Sequence, residues 1–287
     1  MFNRQSSFRT HQLVRRNRLV TWNQEAREPP PPEDLEKWLF QRRKYHIVSI
    51  GTQECENSFA KSILHPSKRK WETTLASALG SDYNFIRSHS LASSHIVLFA
   101  HKSIAHLVSN VRSLAVPTGI GEKLANKGGI GIACSIAESS FVFVNSHLAA
   151  HQHATVRRTY EFRKISSILA AKIQQSEEST VIEDDVYGDD DLNEKLLDDG
   201  EIISDPTLLY PSSQLEEDLR TDSGPKTNPL VDAFDFVYWF GDMNFRINGT
   251  REVVDGMLEN HMHDALLVRC VQGVKGFTRS VTLFVSS

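Results

Sequence analysis

Phe234–Arg246 reads FDFVYWFGDMNFR, and the fold turns on this stretch. Its first half, Phe234–Phe240, is apolar and aromatic at nearly every position, the texture of a strand covered on both faces. Gly241 ends the run, and Asp242, Asn244 and Arg246 follow in alternation. A period of two puts these three on one face if the extended backbone continues. They offer a carboxylate to take a proton, an amide to orient a nucleophile and a guanidinium to grip phosphate.

Upstream, Val144–His151 repeats the plan as VNSHLAAH. The β-prone Phe141–Val144 delivers polar residues at its end, where α/β proteins build their sites. His147 can donate to a phosphate oxygen or a leaving group, and His151 lies one turn further on. Earlier still, the strong strand Tyr45–Ile50 leads to Gly51-Thr52-Gln53-Glu54, and the short strand Arg18–Trp22 leads to Asn23. Side-chain oxygens from neighbouring strand ends suit a hard cation such as Mg²⁺. The histidines lack HExxH spacing, and no His/Cys cluster supports zinc. A glycine-rich segment, Thr118–Gly121, precedes Asn126-Lys127-Gly128-Gly129. Glycines admit close backbone approach and a lysine supplies a point charge for phosphate, although the GxxxxGK[ST] string of a P-loop is absent. Arg157 and Arg158, opening a long amphipathic helix over His153–Gln174, add two further candidate phosphate contacts.

Strands and helices interleave through the rest of the chain. Helices are expected at Asp34–Phe40, Trp71–Leu79, Thr250–Leu258 and His261–Val268. Extended segments are expected near Tyr83–Ser88, Ser94–Ala100, His106–Val116 and Gly129–Ala137. The pattern predicts one α/β domain over 17–287, a two-layered β core flanked by helices, behind a mobile basic tail at 1–16. An insertion at about 176–229 interrupts it. Residues 176–223 hold 17 acidic and two basic side chains, or −15, against −4 for the whole chain, so the remainder carries +11. Dense like charge and low apolar content predict disorder there. A basic body suits an anionic substrate. The three cysteines, Cys55, Cys134 and Cys270, are too scattered for a disulfide framework. No signal peptide and no membrane span is apparent, which points to a cytoplasmic protein touching membranes only peripherally.

In this order, the strings resemble the inositol polyphosphate 5-phosphatase family. Its motifs are a strand ending in Trp-Asn, a Gln-Glu strand end, Asn-Lys-Gly-Gly, Asn-Ser-His-Leu-Ala-Ala-His and Trp-x-Gly-Asp-x-Asn-x-Arg. The resemblance implies the DNase I-like fold, a four-layer α/β sandwich, and Mg²⁺-dependent hydrolysis of the 5-phosphate of phosphoinositides or soluble inositol polyphosphates. It implies Glu54 as the Mg²⁺ ligand with Asn23 beside it, and Asp242 orienting and deprotonating water. Asn244 would hold the nucleophile or phosphate, and His147 would stabilise the scissile phosphate. Asn126 and Lys127 would line the pocket, with His151, Arg157, Arg158 and Arg246 as further substrate contacts. No nucleic-acid partner is expected. The alternatives are a nuclease or phosphodiesterase of the same fold, and a catalytically dead binding form. Gly276-Phe277-Thr278-Arg279 resembles the family's Gly-Phe-x-Glu with Arg279 in place of Glu, and the family's later motifs are missing before Ser287. The resemblance therefore implies a partial catalytic domain with weak or no activity of its own.

Overall fold

Alternating apolar residues build two facing sheets in the computed structural model, which describes residues 16–40, 44–55, 68–119, 127–151, 154–175, 228–247, 249–263, 265 and 281–285. The first sheet holds β1 (Asn17–Asn23), β2 (Ile47–Gln53), β3 (Tyr83–Leu91) and β4 (Ser94–His101), in the order β1-β2-β4-β3. β1 and β2 run parallel; β4 is antiparallel to both its neighbours. The second sheet holds β5 (Val108–Pro117), β6 (Gly128–Ile136), β7 (Ser139–His147), β8 (Phe236–Asp242) and β9 (Val281–Val285), in chain order. β5, β6 and β7 are antiparallel, whereas β7, β8 and β9 are parallel.

The period of two divides each central strand between two cores. Between the sheets lie Ile47, Ile96, Leu98, Ile130, Ile132, Phe141, Phe143 and Phe240. On the outer face of the first sheet, Val48, Ile50, Val97 and Phe99 meet Leu35 and Leu39 of α1 (Pro32–Phe40) and Trp71 and Leu75 of α2 (Arg69–Leu79). On the outer face of the second, Val142, Val144, Val237 and Trp239 meet Phe162, Ile165 and Leu169 of the long helix. The layers therefore run helix, sheet, sheet, helix, the four-layer α/β sandwich expected from the sequence.

Several boundaries differ from the sequence reading, each for a local reason. A short helix, α3 (Lys102–Ala105), precedes β5, because the His101 side chain accepts the Ser103 N–H and turns the chain. The long helix, α4, spans Thr155–Lys172, and a 3₁₀ turn at Ile173–Gln175 continues it. β8 starts at Phe236 rather than Phe234. Asn228 caps α5 (Pro229–Ala233) through a bond from the Leu230 N–H, with Pro229 in its first turn, and Phe234 ends that helix. The expected insertion thus gives up Asn228 and Pro229 to α5; its part over 176–227 lies outside the described residues, as do residues 1–15 of the expected tail, Asn126 and Gly276–Arg279. Of the helix expected over His261–Val268, only 261–263 and 265 are described; α6 (Arg251–Glu259) matches its neighbour. No helix among the described residues is long and apolar enough to cross a membrane.

Candidate active site

The parallel pairs bring four strand ends to one end of the sandwich. In the first sheet Asn23 is in register with Gln53, immediately before Glu54. In the second, His147 is in register with Asp242. Gly241 makes the second pairing possible. Its φ is 130°, and a Cβ there would lie 2.0 Å from the Ser146 carbonyl oxygen. Trp239 anchors the same corner: its indole N–H donates to Ser146 Oγ at 2.9 Å, and its ring packs on Phe162.

Across the gap between the sheets the polar ends touch. Asn23 Nδ2 lies 3.3 Å from Glu54 Oε1 and 3.3 Å from Asp242 Oδ2, while its Oδ1 accepts the Glu25 N–H at 3.0 Å. As placed, Asn23 is the donor that holds two carboxylates together, and Glu54 is the carboxylate that could take a cation. Glu54 itself sits at φ 51°, a left-handed turn that re-aims its side chain as β2 ends.

His147 Nε2 is 3.4 Å from Asp242 Oδ2 and also contacts Lys127 Nζ, just before β6. These neighbours make opposite demands on one nitrogen, since the carboxylate favours a proton there and an ammonium favours a lone pair. An anion between Lys127 and His147 could accept a hydrogen bond from each side chain. Burial lowers the Lys127 pKa, against the opposing pull of Asp242, Glu54 and Glu161. Burial pushes the Asp242 carboxyl up, but the His147 ring, the Asn244 N–H and Asn23 outweigh it and bring it down to about 2. Asp242 is 28% exposed against 4% for His147, so the carboxylate is the group that meets solvent.

Asp242, Asn244 and Arg246 do not share a face, because the extended backbone stops at Asp242. Asn244 adopts φ 51°, its N–H donates to Asp242 Oδ1 at 3.0 Å and its Nδ2 donates to the Leu148 carbonyl at 2.9 Å. It braces the carboxylate and the loop after β7 together. Arg246 is exposed and donates to Asn244 Oδ1 at 3.1 Å. Arg158 is buried and donates to the carbonyls of Ala149 and His151 at 3.1 and 2.8 Å. Arg157 pairs with Glu161 and donates to the Thr118 carbonyl. Both arginines therefore hold the loops that frame the site, and His151 is exposed on one of them.

Two residues escaped the sequence reading. Glu161, buried in α4, accepts the Ala149 N–H at 2.7 Å and ties it to Arg157; its i, i+4 spacing from Arg157 was the available signal. Asn145, a polar residue inside an apolar strand, is fully buried between the sheets.

Carboxylate oxygens of Glu54 and Asp242 lie together on either side of the Asn23 amide, and among the described residues no thiol or imidazole pair of the kind zinc requires stands with them. Among the described residues no group of three or more His, Cys, Asp and Glu is placed to hold a metal by itself. A single carboxylate completed by water and substrate oxygens is how Mg²⁺ is commonly held, so the donor set fits that ion.

Comparison with known proteins agrees with this fold. The human phosphatidylinositol polyphosphate 5-phosphatase type IV is 26% identical over 251 residues, covering 84% of this chain and 30% of the relative. The chain thus spans about a third of the length of that curated relative. Among solved structures, the inositol polyphosphate 5-phosphatase domain of SPsynaptojanin, in complex with inositol (1,4)-bisphosphate and calcium ion, aligns with a TM-score of 0.56 at 19% identity, covering 93% of this chain and 67% of that one. A Cimex nitrophorin mutant in its ferrous NO complex aligns with a TM-score of 0.52 at 13% identity, over 88% and 68%. These two likenesses establish the DNase I-like fold. Residues 20–270 match Endonuclease/Exonuclease/phosphatase family 2, and the chain belongs to that family.

Proposed function

We propose that the chain is the catalytic part of a phosphoric monoester hydrolase that removes the 5-phosphate from phosphoinositides or soluble inositol polyphosphates with Mg²⁺ as cofactor. The observation that carries the reading is the meeting of Glu54, Asn23, Asp242, His147 and Lys127 at one end of the sandwich. The names of the relatives, 5-phosphatases among them, supply the substrate class. The remainder of the chain, at +11 outside residues 176–223, favours an anionic substrate and peripheral contact with an anionic lipid surface.

Lys127 and His147 would bind the scissile phosphate, and burial strengthens both contacts by excluding water. Glu54 would hold Mg²⁺, which supplies charge neutralisation at the phosphoryl oxygens when bound. Asp242 would align the attacking water by accepting its hydrogen bond. A carboxyl held at about 2 is a weak base, so alignment comes first. The proton would move to Asp242 only as the P–O bond to water forms and the P–O bond to the inositol 5-oxygen breaks, the departing oxygen taking a proton from water. Asn244 keeps Asp242 in place through its backbone N–H.

The test is phosphate release by the purified chain from a 5-phosphorylated inositol lipid in vesicles and from soluble inositol trisphosphate, with plasmid DNA as a third substrate. Release that requires Mg²⁺ and stops in EDTA is the expected result. Full release in EDTA removes the metal from the reading, and cleavage of DNA without phosphate release replaces the monoesterase by a nuclease.

A further inference from the structure

Asn145 is fully buried and stands one register position from Gly241 in β8, two residues before His147. All three of its side-chain hydrogen bonds cross to the opposite sheet. Its Oδ1 accepts from Gln53 Nε2 at 2.6 Å, and its Nδ2 donates to the carbonyls of His95 at 2.9 Å and Thr52 at 3.2 Å. Two glycines make room for it. A Cβ on Gly51 would come within 2.6 Å of Asn145 Cγ, and one on Gly241 within 2.9 Å of its Oδ1. Gln53 also contacts Thr21 Oγ1 at 3.3 Å, two residues before Asn23.

One amide therefore reaches the strand segments that carry Asn23, Glu54, His147 and Asp242. Around it the buried cluster between the sheets is aliphatic and aromatic, and such packing resists separation but sets register weakly. Other polar bridges between the sheets start from edge strands, Arg87 and His89 to Ser113 Oγ and Asn17 to the Tyr238 hydroxyl. A buried amide carries a desolvation cost that an apolar side chain avoids, and a fully paired polar group in a low dielectric selects one arrangement.

We infer that Asn145 is a positioning residue: it fixes the offset between the two sheets and so the placement of Glu54 against Asp242 and His147. The kinetic part of this inference rests on the reaction proposed above; the cation-binding part does not. Mn²⁺ serves as the probe, titrated by electron paramagnetic resonance into wild type, Asn145→Ser, Gln53→Met, the double variant, and Phe143→Leu as a control of the same intersheet core. Thermal midpoints establish the folded fraction in each.

Asn145→Ser should bind Mn²⁺ roughly 10-fold more weakly or worse, the scale of outer-sphere changes around a cation. Its kcat should fall similarly, while KM moves less than about 3-fold, the sign of a lost alignment rather than a lost substrate contact. Phe143→Leu should lose stability yet keep its Mn²⁺ affinity. The losses in Gln53→Met and Asn145→Ser should not add, because the two amides act as one unit. Gln53→Met carries the test if Asn145→Ser does not fold. Unchanged Mn²⁺ affinity in Asn145→Ser, equal loss in Phe143→Leu, or no Mn²⁺ uptake by wild type each overturns the inference. Loss of Mn²⁺ affinity in Asn145→Ser beside a wild type that releases no phosphate leaves the positioning role standing and refutes the reaction.

Discussion

At Asp242 three partners overcome burial to hold a carboxylate deep in acid. Under the proposed mechanism, replacing it with Asn nearly keeps the shape but removes the charged base, so kcat should fall at least ~10²-fold, measured as steady-state phosphate release. A second readout is independent of catalysis. The folded carboxyl, at about 2, lies below its ordinary 3.8, so its stabilising contribution is complete above that ordinary value and is lost as pH falls from 3.8 toward 2. Urea unfolding at stepped pH should show wild-type stability falling through that window, and Asp242→Asn should show a shallower fall.

At the scale of elements, the corner between β7 and β8 depends on a backbone that only glycine makes easily. Gly241→Ala sets a methyl against the Ser146 carbonyl at φ 130°. It should cost roughly 1–3 kcal/mol or more, read as a shift in the urea midpoint. The first turns of α4 form a second support, since Glu161 and Arg158 hold the Ala149–His151 loop from opposite sides. Glu161→Ala leaves the Ala149 N–H unpaired and should cost about 1–3 kcal/mol, while Glu161→Gln, which keeps an acceptor, should cost less. Elements with strong periodicity, such as Tyr45–Ile50 and Phe141–Val144, were legible from residues alone, because their branched and aromatic side chains serve two cores at once. The α5 cap at Asn228 and the α3 turn at His101 were not, since one side-chain bond decides each and leaves no period. Glu54, His147 and Asp242 were legible as polar endings of apolar runs. The contacts of Asn145 and Asn23 were not, because they depend on which strands become neighbours across the gap between the sheets, nor were those of Arg158, which depend on how the Ala149–His151 loop folds back on α4.

Over the whole molecule, charge separates into the acidic stretch at 176–223 and a remainder of +11. Long-range attraction from the basic remainder raises the local concentration of a polyanion, and salt screens it over about 10 Å at 0.1 M. KM for an inositol polyphosphate should therefore rise with ionic strength while kcat changes little, a comparison of saturation curves at low and high KCl.

The order of strands in the two sheets has a consequence in time. The first sheet is drawn wholly from residues 17–101, and β3 and β4 are joined by a two-residue turn at Ala92 and Ser93. The pairing of β7 with β8 must close residues 148–235, 88 in number. Closing that span costs about 3 kcal/mol more in chain entropy than the turn does. The early sheet can thus nucleate alone, and His147 meets Asp242 late. Pulse-labelled hydrogen exchange during refolding should protect the amides of β3 and β4 well before those of Tyr238–Phe240. A chain interrupted midway would hold half of its chemistry ready and inert, with Glu54 and Asn23 in place before the histidine and aspartate arrive.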